Sequence, residues 1–420
     1  MAHFLLASIG STGDLLPFIR LGIALNSLGH RTTFLTNPYF AQTITDYGLV
    51  FHPIGTKEQY LSVLHDQGLM DEKTHFDIVT TKLLVPNLFA IDDYVSSMTV
   101  TEKLVIVAHQ FFLPNAGIAK CKHPGVQVIC GALFPSGFQV EPDKLSFGPF
   151  KVPTSLKRLL WRMVTKIIDK RYVRSHYIAP LNQTRVDCGQ PALRHYKDLF
   201  EIVADWNILL FSDWFAQRQQ GWPSNIIDGD FLLNEDPSPA PLSTEITQFL
   251  NAGTSPVMVT LGTGNVHGAQ HFKSVVEALE QLGLRAILIS NNEENFPDQL
   301  NSNCLCLNHV AQFRSLIQCC SLVIHHGGLG TMAETVLCAV PQLIIASNGE
   351  EIYNLAQITS INIGSGITSD IANVDVLVEK IRSILMSSSI SKGCEQASAR
   401  MKNRSSARDL AAKICIVTGH

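Results

Sequence analysis

From Phe4 to Ile9 the chain is almost continuously apolar, the pattern of a strand buried on both faces of a parallel sheet. A tight polar loop follows, Gly10-Ser11-Thr12-Gly13-Asp14. Phe18, Leu21, Ile23, Ala24, Leu25 and Leu28 then recur at helical spacing, with Pro17 in the first turn and Gly29 as the stop. Thr32 to Leu35 reads as the next strand. Strand, loop, helix, strand is the opening of a doubly wound α/β domain. Residues 50–54, 104–107, 127–130 and 207–211 are further apolar runs of strand length. Residues 57–102 read as helices around a loop near 68–74. Residues 131–153, rich in Gly, Pro and Phe, read as an irregular loop of the kind that forms binding surfaces.

The periodicity stops at residues 232–243, where three prolines alternate with small and polar residues. This is an extended, stiff linker. Beyond it the α/β pattern restarts, with a strand at 257–260, a Gly262-Thr263-Gly264 loop, a helix to about Leu282, and strands at 286–289 and 304–307. The segment 308–316 follows, then strands at 321–324 and 342–345, and a last helix pair. Two similar halves predict two α/β domains, 1–231 and 244–420, with a cleft between them. Ligands in such sheets bind beyond the carboxyl ends of the strands, where the loops 10–14 and 327–330 both lie.

The second of those loops is the densest chemical feature. In His325-His326-Gly327-Gly328-Leu329-Gly330-Thr331 a strand runs through three glycines into a helix. Glycine puts no Cβ in the way, so backbone N–H groups and the positive helix end can meet an anion closely. His326 stands at the lip, and Thr331 adds a hydroxyl. No Lys follows, so this is not a Walker loop, and the spacing is not the dinucleotide fingerprint. Taken alone, such a turn equally serves close packing.

A net charge of −4 on 420 residues makes no electrostatic case for nucleic acid. Ten scattered cysteines form neither C-x-x-C pairs nor zinc-spaced clusters, as in a reducing cytoplasm. The N-terminus lacks the features of a signal peptide, and no apolar run approaches the ~18 residues of a spanning helix. A cytoplasmic protein is expected, with at most a peripheral membrane contact. Residues 151–174 carry eight Lys or Arg against one acid, Asp169, interleaved with apolar residues and Trp161. That basic amphipathic helix suits an anionic membrane surface, and equally a surface helix with its apolar stripe on the core.

A Gly-Ser-x-Gly-Asp loop after the first strand, paired with His-His-Gly-Gly-x-Gly-Thr in the second half, resembles the GT-B nucleotide-sugar glycosyltransferases. The resemblance is to the family of UDP-glucuronosyl/glucosyltransferases, sterol glucosyltransferases and glycopeptide glucosyltransferases. Gly29-His30, the segment from Asn308 to Gln312 followed by Leu316, and Val340-Pro341-Gln342 extend it along most of the chain. Residues 10–19, 70–76, 158–162 and 214–216 are most similar to the rhamnosyltransferase chain of rhamnolipid synthesis. The resemblance implies a GT-B fold, two Rossmann-like domains facing across a cleft, and allows the last helix to pack back on the N-terminal domain.

It also implies roles. The nucleotide base would lie against Val310, Gln312 and Phe313. The diphosphate would meet His326 and the N–H groups of Gly328, Leu329, Gly330 and Thr331, with Gly262 and Thr263 opposite, and no metal would be needed. His325 would be structural. The family's sugar-binding Asp-Gln pair is replaced by Glu350-Glu351, which otherwise reads as an acidic helix start. The acceptor would be bounded by Gly10, Ser11, Thr12, Gly13, Phe134 and Phe138. Inverting transfer needs a base for the acceptor hydroxyl. Many relatives place a histidine in the first loop; this chain has Asp14, where the Gly-Asp branch has its candidate base. Asp14 also suits an N-cap. His109 is the second candidate, or a polar rim residue. Asp228-Gly229-Asp230 imitates a D-x-D metal motif but precedes the linker, and Glu334 suits capping or pairing.

The expected activity is therefore inverting, metal-independent transfer of a hexose or deoxyhexose. The donor is UDP-glucose or dTDP-rhamnose, with UDP-hexose favoured by the wider family. The acceptor is a hydroxylated, apolar, lipid-like molecule. Two alternatives stand: a nucleotide-sugar epimerase of the same fold, and a non-catalytic nucleotide- or lipid-binding partner of another transferase.

Overall fold

A computed structural model describes residues 1–70, 74–99, 102–138, 163, 177–233, 241–262 and 268–420. The expectations for 139–153, for 151–174 apart from Met163, for 234–240 of the linker, and for Thr263 and Gly264 lie outside the described residues.

Thirteen strands form two all-parallel sheets among the described residues. The first holds β1 (Ala2–Ala7), β2 (Arg31–Thr36), β3 (Val50–Pro53), β4 (Lys103–His109), β5 (Gln127–Ala132), β6 (Trp206–Leu209) and β7 (Ile226–Ile227), in the order β3-β2-β1-β4-β5-β6-β7. The second holds β8 (Val257–Thr260), β9 (Ala286–Ile289), β10 (Cys304–Leu307), β11 (Leu322–His325), β12 (Gln342–Ala346) and β13 (Gly364–Thr368), in the order β10-β9-β8-β11-β12-β13. Each sheet reverses its strand order once, between β1 and β4 and between β8 and β11. At such a switch point the two neighbouring loops diverge to opposite faces and leave a crevice. The register sets Ala7 beside Ala108 and Thr260 beside His325, so the loop pairs that leave each crevice start level.

The central strands are apolar on both faces because helices cover both; every residue of β1 and of β8 is buried. Some polar residues within the sheets pair with a neighbouring strand, as His3 does with Thr33 at 2.8 Å.

Several elements differ from the sequence reading. β1 stops at Ala7, and the first helix runs Thr12–Ser27 with Ser11 as its N-cap. Asp14 is therefore the third helical residue and not the N-cap, and Pro17 stands beyond the first turn, where it leaves the Gly13 carbonyl without its usual donor. His109 and His325 do not follow their strands but end them. β13 has no apolar rhythm because a Cβ at Gly364 or Gly366 would stand 2.3 or 2.1 Å from the carbonyl oxygen of Gln342 or Ile344. Three helices close the chain rather than two, Val374–Leu385, Ser388–Lys402 and Ala407–Thr418.

The last of these lies against the first helix. Arg408 reaches Ser27 at 3.5 Å, and Cys415 Sγ stands 3.3 Å from His30 Nε2. The D-x-D look-alike is taken up by this wiring. Asp228 pairs with Arg218 at 2.7 Å, while Asp230 accepts from Ser212, from Phe231 N–H and, at 3.2 Å, from Ser405 N–H. Among the described residues no helix is long and apolar enough to cross a membrane.

Candidate active site

A cavity of about 1930 Å³ opens where the two crevices meet, lined by loops from both sheets.

On the N-terminal side the chain turns through Gly10 at φ 129°, where a Cβ would stand 2.3 Å from Asp14 Oδ2. Ser11, Thr12 and Gly13 line the cavity beside it. Asp14 reaches back one turn, and its Oδ2 accepts from Ser11 N–H at 2.6 Å and Ser11 Oγ–H at 3.0 Å. This is half of a capping box, so the aspartate does serve the helix start, with one oxygen. Its Oδ1 faces the end of β4, 3.9 Å from His109 Nε2. Burial raises the Asp14 pKa, and the bonds from Ser11 partly offset it. His109 is 1% exposed, and burial pulls its pKa down to about 3, so the ring is neutral.

Around this pair the wall is aromatic and aliphatic. Phe111, Phe134, Phe138, Phe200, Leu16 and Leu83 line it, with Phe111 and Phe134 packed at 5.6 Å between ring centroids. Phe134 and Phe138, expected at the acceptor loop, are both part of this wall.

On the C-terminal side Gly262, at φ 87°, and Gly328 enclose the His326 ring. A Cβ at either position would stand 2.5 or 2.6 Å from it, so both must be glycine for the ring to fit. Burial lowers the His326 pKa to about 4, and its buried Nδ1 has no partner. Gly328 is the N-cap of the helix Leu329–Leu337, whose first turn is Leu329, Gly330 and Thr331. The N–H groups of that turn have no partner inside the helix, and its residues line the cavity. His325 is fully buried; its Nε2 donates to Gln342 Oε1 at 2.9 Å and its Nδ1 accepts from Gly327 N–H at 3.1 Å.

Val310, Gln312 and Phe313 line the same cavity beside this turn. Arg314, next in the chain, pairs with Glu334 at 2.6 Å, tying that segment to the helix Leu329–Leu337. Glu350 and Glu351 open the helix Gly349–Ser360. Neither is a solvated helix start, and the two differ. Glu351 is 7% exposed, and its Oε2 accepts from Ser347 N–H at 2.6 Å. Burial lifts its pKa to about 7. Glu350 lines the cavity, and burial, then the charges of Asp14 and Glu351, push its pKa well above the carboxylate range. Asp14 and Glu350 thus approach each other from opposite domains.

Sequence reasoning missed Tyr60, His75 and Asn354. Tyr60 lines the cavity, and its hydroxyl pKa is raised by burial and by Asp14. His75 bonds the Leu69 carbonyl at 2.6 Å, near enough for a charge on its ring to draw the Asp14 pKa down. Asn354 bonds the Gly327 carbonyl at 2.9 Å. Asn354 was within reach, since it stands one helical turn beyond Glu350. His75 lies within the stretch 70–76 singled out above. Tyr60 carried no signal. Among the described residues no three His, Cys, Asp or Glu side chains are placed to hold a metal ion.

This geometry has relatives. Residues 4–84 match the N-terminal domain of glycosyltransferase family 28, and residues 273–416 match the C-terminal domain of the erythromycin biosynthesis protein CIII-like group. Glycosyltransferase GtfE of Amycolatopsis orientalis is 24% identical over 369 residues, 86% of this chain and 84% of that protein. A sterol 3-beta-glucosyltransferase of Vanderwaltozyma polyspora is 23% identical over 93% of this chain, which spans 32% of that longer protein. The structure of glycosyltransferase VinC in complex with dTDP superposes with a TM-score of 0.65 at 16% identity, covering 99% of each chain. With a glycosyltransferase domain matched in each half and two Rossmann-like sheets meeting at one cavity, the chain is a GT-B glycosyltransferase.

Proposed function

We propose that the chain transfers a hexose or deoxyhexose, with inversion, from a UDP- or dTDP-sugar to the hydroxyl of an apolar, lipid-like acceptor. One observation carries this reading. The unshared Oδ1 of Asp14 and the open helix turn 329–331 face one cavity from opposite domains, and the wall around Asp14 is aromatic and aliphatic.

In this reading the diphosphate rests on the N–H groups of Gly328, Leu329, Gly330 and Thr331, with a neutral His326 donating a ring N–H and Gly262 and Thr263 opposite. The base lies along Val310, Gln312 and Phe313, and Glu350 accepts sugar hydroxyls. The acceptor hydroxyl gives its proton to Asp14 Oδ1 as its oxygen bonds the anomeric carbon. The bond from that carbon to the phosphate oxygen breaks, and the electron pair leaves with the nucleoside diphosphate. Fixed N–H dipoles at a helix start stabilise that charge without reorganising, the work a divalent cation performs elsewhere. An apolar acceptor fits the phenylalanine wall and the sterol-named relative. The rhamnolipid-enzyme likeness adds dTDP-rhamnose to the donor candidates. Residues 151–174 would supply a peripheral membrane contact.

The test is mass spectrometry of purified protein incubated with UDP-glucose or dTDP-rhamnose and a lipid extract of the source cells. A lipid heavier by a hexose or deoxyhexose is the expected result. Donor converted with no acceptor present would favour the epimerase. Nucleotide binding with no product on lipid or polar acceptors would favour the non-catalytic partner.

A further inference from the structure

His109 offers two ring nitrogens, and the fold assigns each of them. The residue ends β4 at the switch point of the first sheet, paired in register with Gly131. Phe18, Phe111 and Phe134 surround its ring, at centroid distances of 6.2, 5.2 and 6.2 Å. Nδ1 lies 3.2 Å from the backbone N–H of Phe111. An amide N–H can only donate, so Nδ1 must hold its lone pair toward that bond. In this apolar setting the ring is neutral, and its one hydrogen is therefore on Nε2.

That hydrogen has no partner, since Nε2 is a buried donor without a hydrogen bond. Its carboxylate neighbour is Asp14, with Oδ1 at 3.9 Å. The other Asp14 oxygen is already held by Ser11. Catalytic hydrogen bonds often stand long before substrate binds and tighten in the complex.

We propose that His109 is a positioning residue, whose Nε2–H turns toward Asp14 Oδ1, aims that oxygen at the acceptor hydroxyl and holds the carboxylate ionised among phenylalanines. The inference rests on the transferase reading above. It removes His109 as an alternative base, because a ring with Nδ1 bonded to an amide and Nε2 protonated has no lone pair to offer. In the transfer step the acceptor proton ends on Asp14 Oδ1, and His109 keeps its own. The arrangement works against burial, which favours the protonated acid, as a donor to a carboxylate lowers its pKa. Three further titratable groups lie near Asp14, each on a different helix: a charge on His75 lowers its pKa, while its own charge raises those of Tyr60 and Glu350.

The test compares full-length wild type with His109→Leu and His109→Gln, since glutamine can carry an N–H to about the place of Nε2. His109→Leu is expected to lose about 10²-fold in kcat with the donor KM unchanged. The acid limb of its kcat/KM profile should move upward by about one pH unit. His109→Gln should stay within about fivefold of wild type and keep the wild-type limb. An unmoved limb in a folded His109→Leu protein, or a folded His109→Gln protein as impaired as His109→Leu, would overturn the proposal. Long-range 15N–1H correlation of the His109 ring reads the tautomer without any turnover. A hydrogen on Nδ1, or a charged ring at neutral pH, also overturns it. A wild type that transfers to no hydroxyl would sink the transferase reading, while the tautomer would still be decided by the ring spectrum.

Discussion

Asn354 donates to the carbonyl of Gly327 across 2.9 Å, and so ties the helix that carries Glu350 to the glycine turn before the helix start at 329. The preceding peptide is held by His325, which accepts from Gly327 N–H at its Nδ1. Gly327 sits at φ 107°, a conformation open to glycine, so the two bonds fix a turn that would otherwise have several states. Asn354→Ala leaves a buried carbonyl without its donor. The expected result is nucleoside diphosphate binding weakened by about tenfold, with stability lower by about 1–2 kcal/mol. Isothermal titration with UDP and dTDP, beside a denaturant melt, checks both. Unchanged affinity would mean that the turn is held without this bond.

The two adjacent histidines should separate cleanly. His326 lines the cavity with a free ring nitrogen, whereas His325 is buried between Gln342 and Gly327. His326→Ala should reduce donor affinity by about 10- to 100-fold and leave the fold intact, the range for one bond to a charged group. His325→Ala should instead cost about 2–4 kcal/mol of stability, because two buried polar groups lose their partner. Paired nucleotide titrations and melts decide it. A larger loss of donor affinity in His325→Ala would reverse the assignment.

The contrast between these two shows what a sequence carries and what it does not. The strands at 257–260 and 286–289 are legible because an unbroken apolar run between breakers has one economical use, a strand covered on both faces. The glycine turn at 327–330 is legible because only a backbone need explains so many glycines at a strand end. The start of the first helix is not. Ser11 and Asp14 both suit a cap, and the 2.6 Å bond between them makes Ser11 the N-cap and Asp14 its capping-box partner. The meeting of Asp14 with His109 and Glu350 joins residues 95 and 336 positions apart, and follows from strand order in one sheet and from how the second sheet faces it. Glu351 shows the same limit, since its carboxylate is turned into its own loop by Ser347.

Four buried histidines set the direction of the acid response. His3 and His326 have pKa values pulled down to about 4, and His109 and His325 to about 3, all chiefly by burial. A lowered folded pKa means that, as pH falls below the ordinary histidine value near 6.5, the unfolded chain takes up protons the native state refuses. Each such group then favours unfolding by up to about 1.4 kcal/mol per pH unit. Asp14, Glu350 and Glu351 oppose this, because their raised values let the native state bind protons first, while His30, His52 and His420 are lowered in the same direction as the four. Seven lowered histidines against three raised carboxylates leave stability rising with pH between about 5 and 6.5. Urea midpoints across that window should climb with pH, and a flat or falling series would show that the histidines accept protons in the folded state.

Asp14→Asn keeps the shape of the first loop, since an amide oxygen can still accept from Ser11 N–H, but it cannot take a proton from an alcohol. Transfer should fall by about 10²- to 10⁴-fold while nucleotide affinity stays within about twofold, the span of a lost general base. Product formation measured beside titration with UDP or dTDP reads the two apart. Retained transfer would place proton removal elsewhere in the cavity and leave Asp14 as a cap alone.

The charge of Asp14 raises the Glu350 pKa across the cleft, because a cavity with apolar walls leaves little water to screen it. Removing one charge should therefore be felt at the other. Glu350→Gln is expected to lower the pKa of Asp14 and carry the acid limb of the kcat/KM profile downward, opposite to the shift expected for His109→Leu. The substitution also restores an amide among the residues that meet the sugar, so the preference between UDP-glucose and dTDP-rhamnose should change. Glu351→Gln is the control, because an amide oxygen can keep the bond to Ser347 N–H and the limb should move little. Rate profiles of the three variants with one acceptor make the comparison. If Glu350→Gln left both the limb and the donor preference unaltered, Glu350 would be a wall of the cavity and not part of its chemistry.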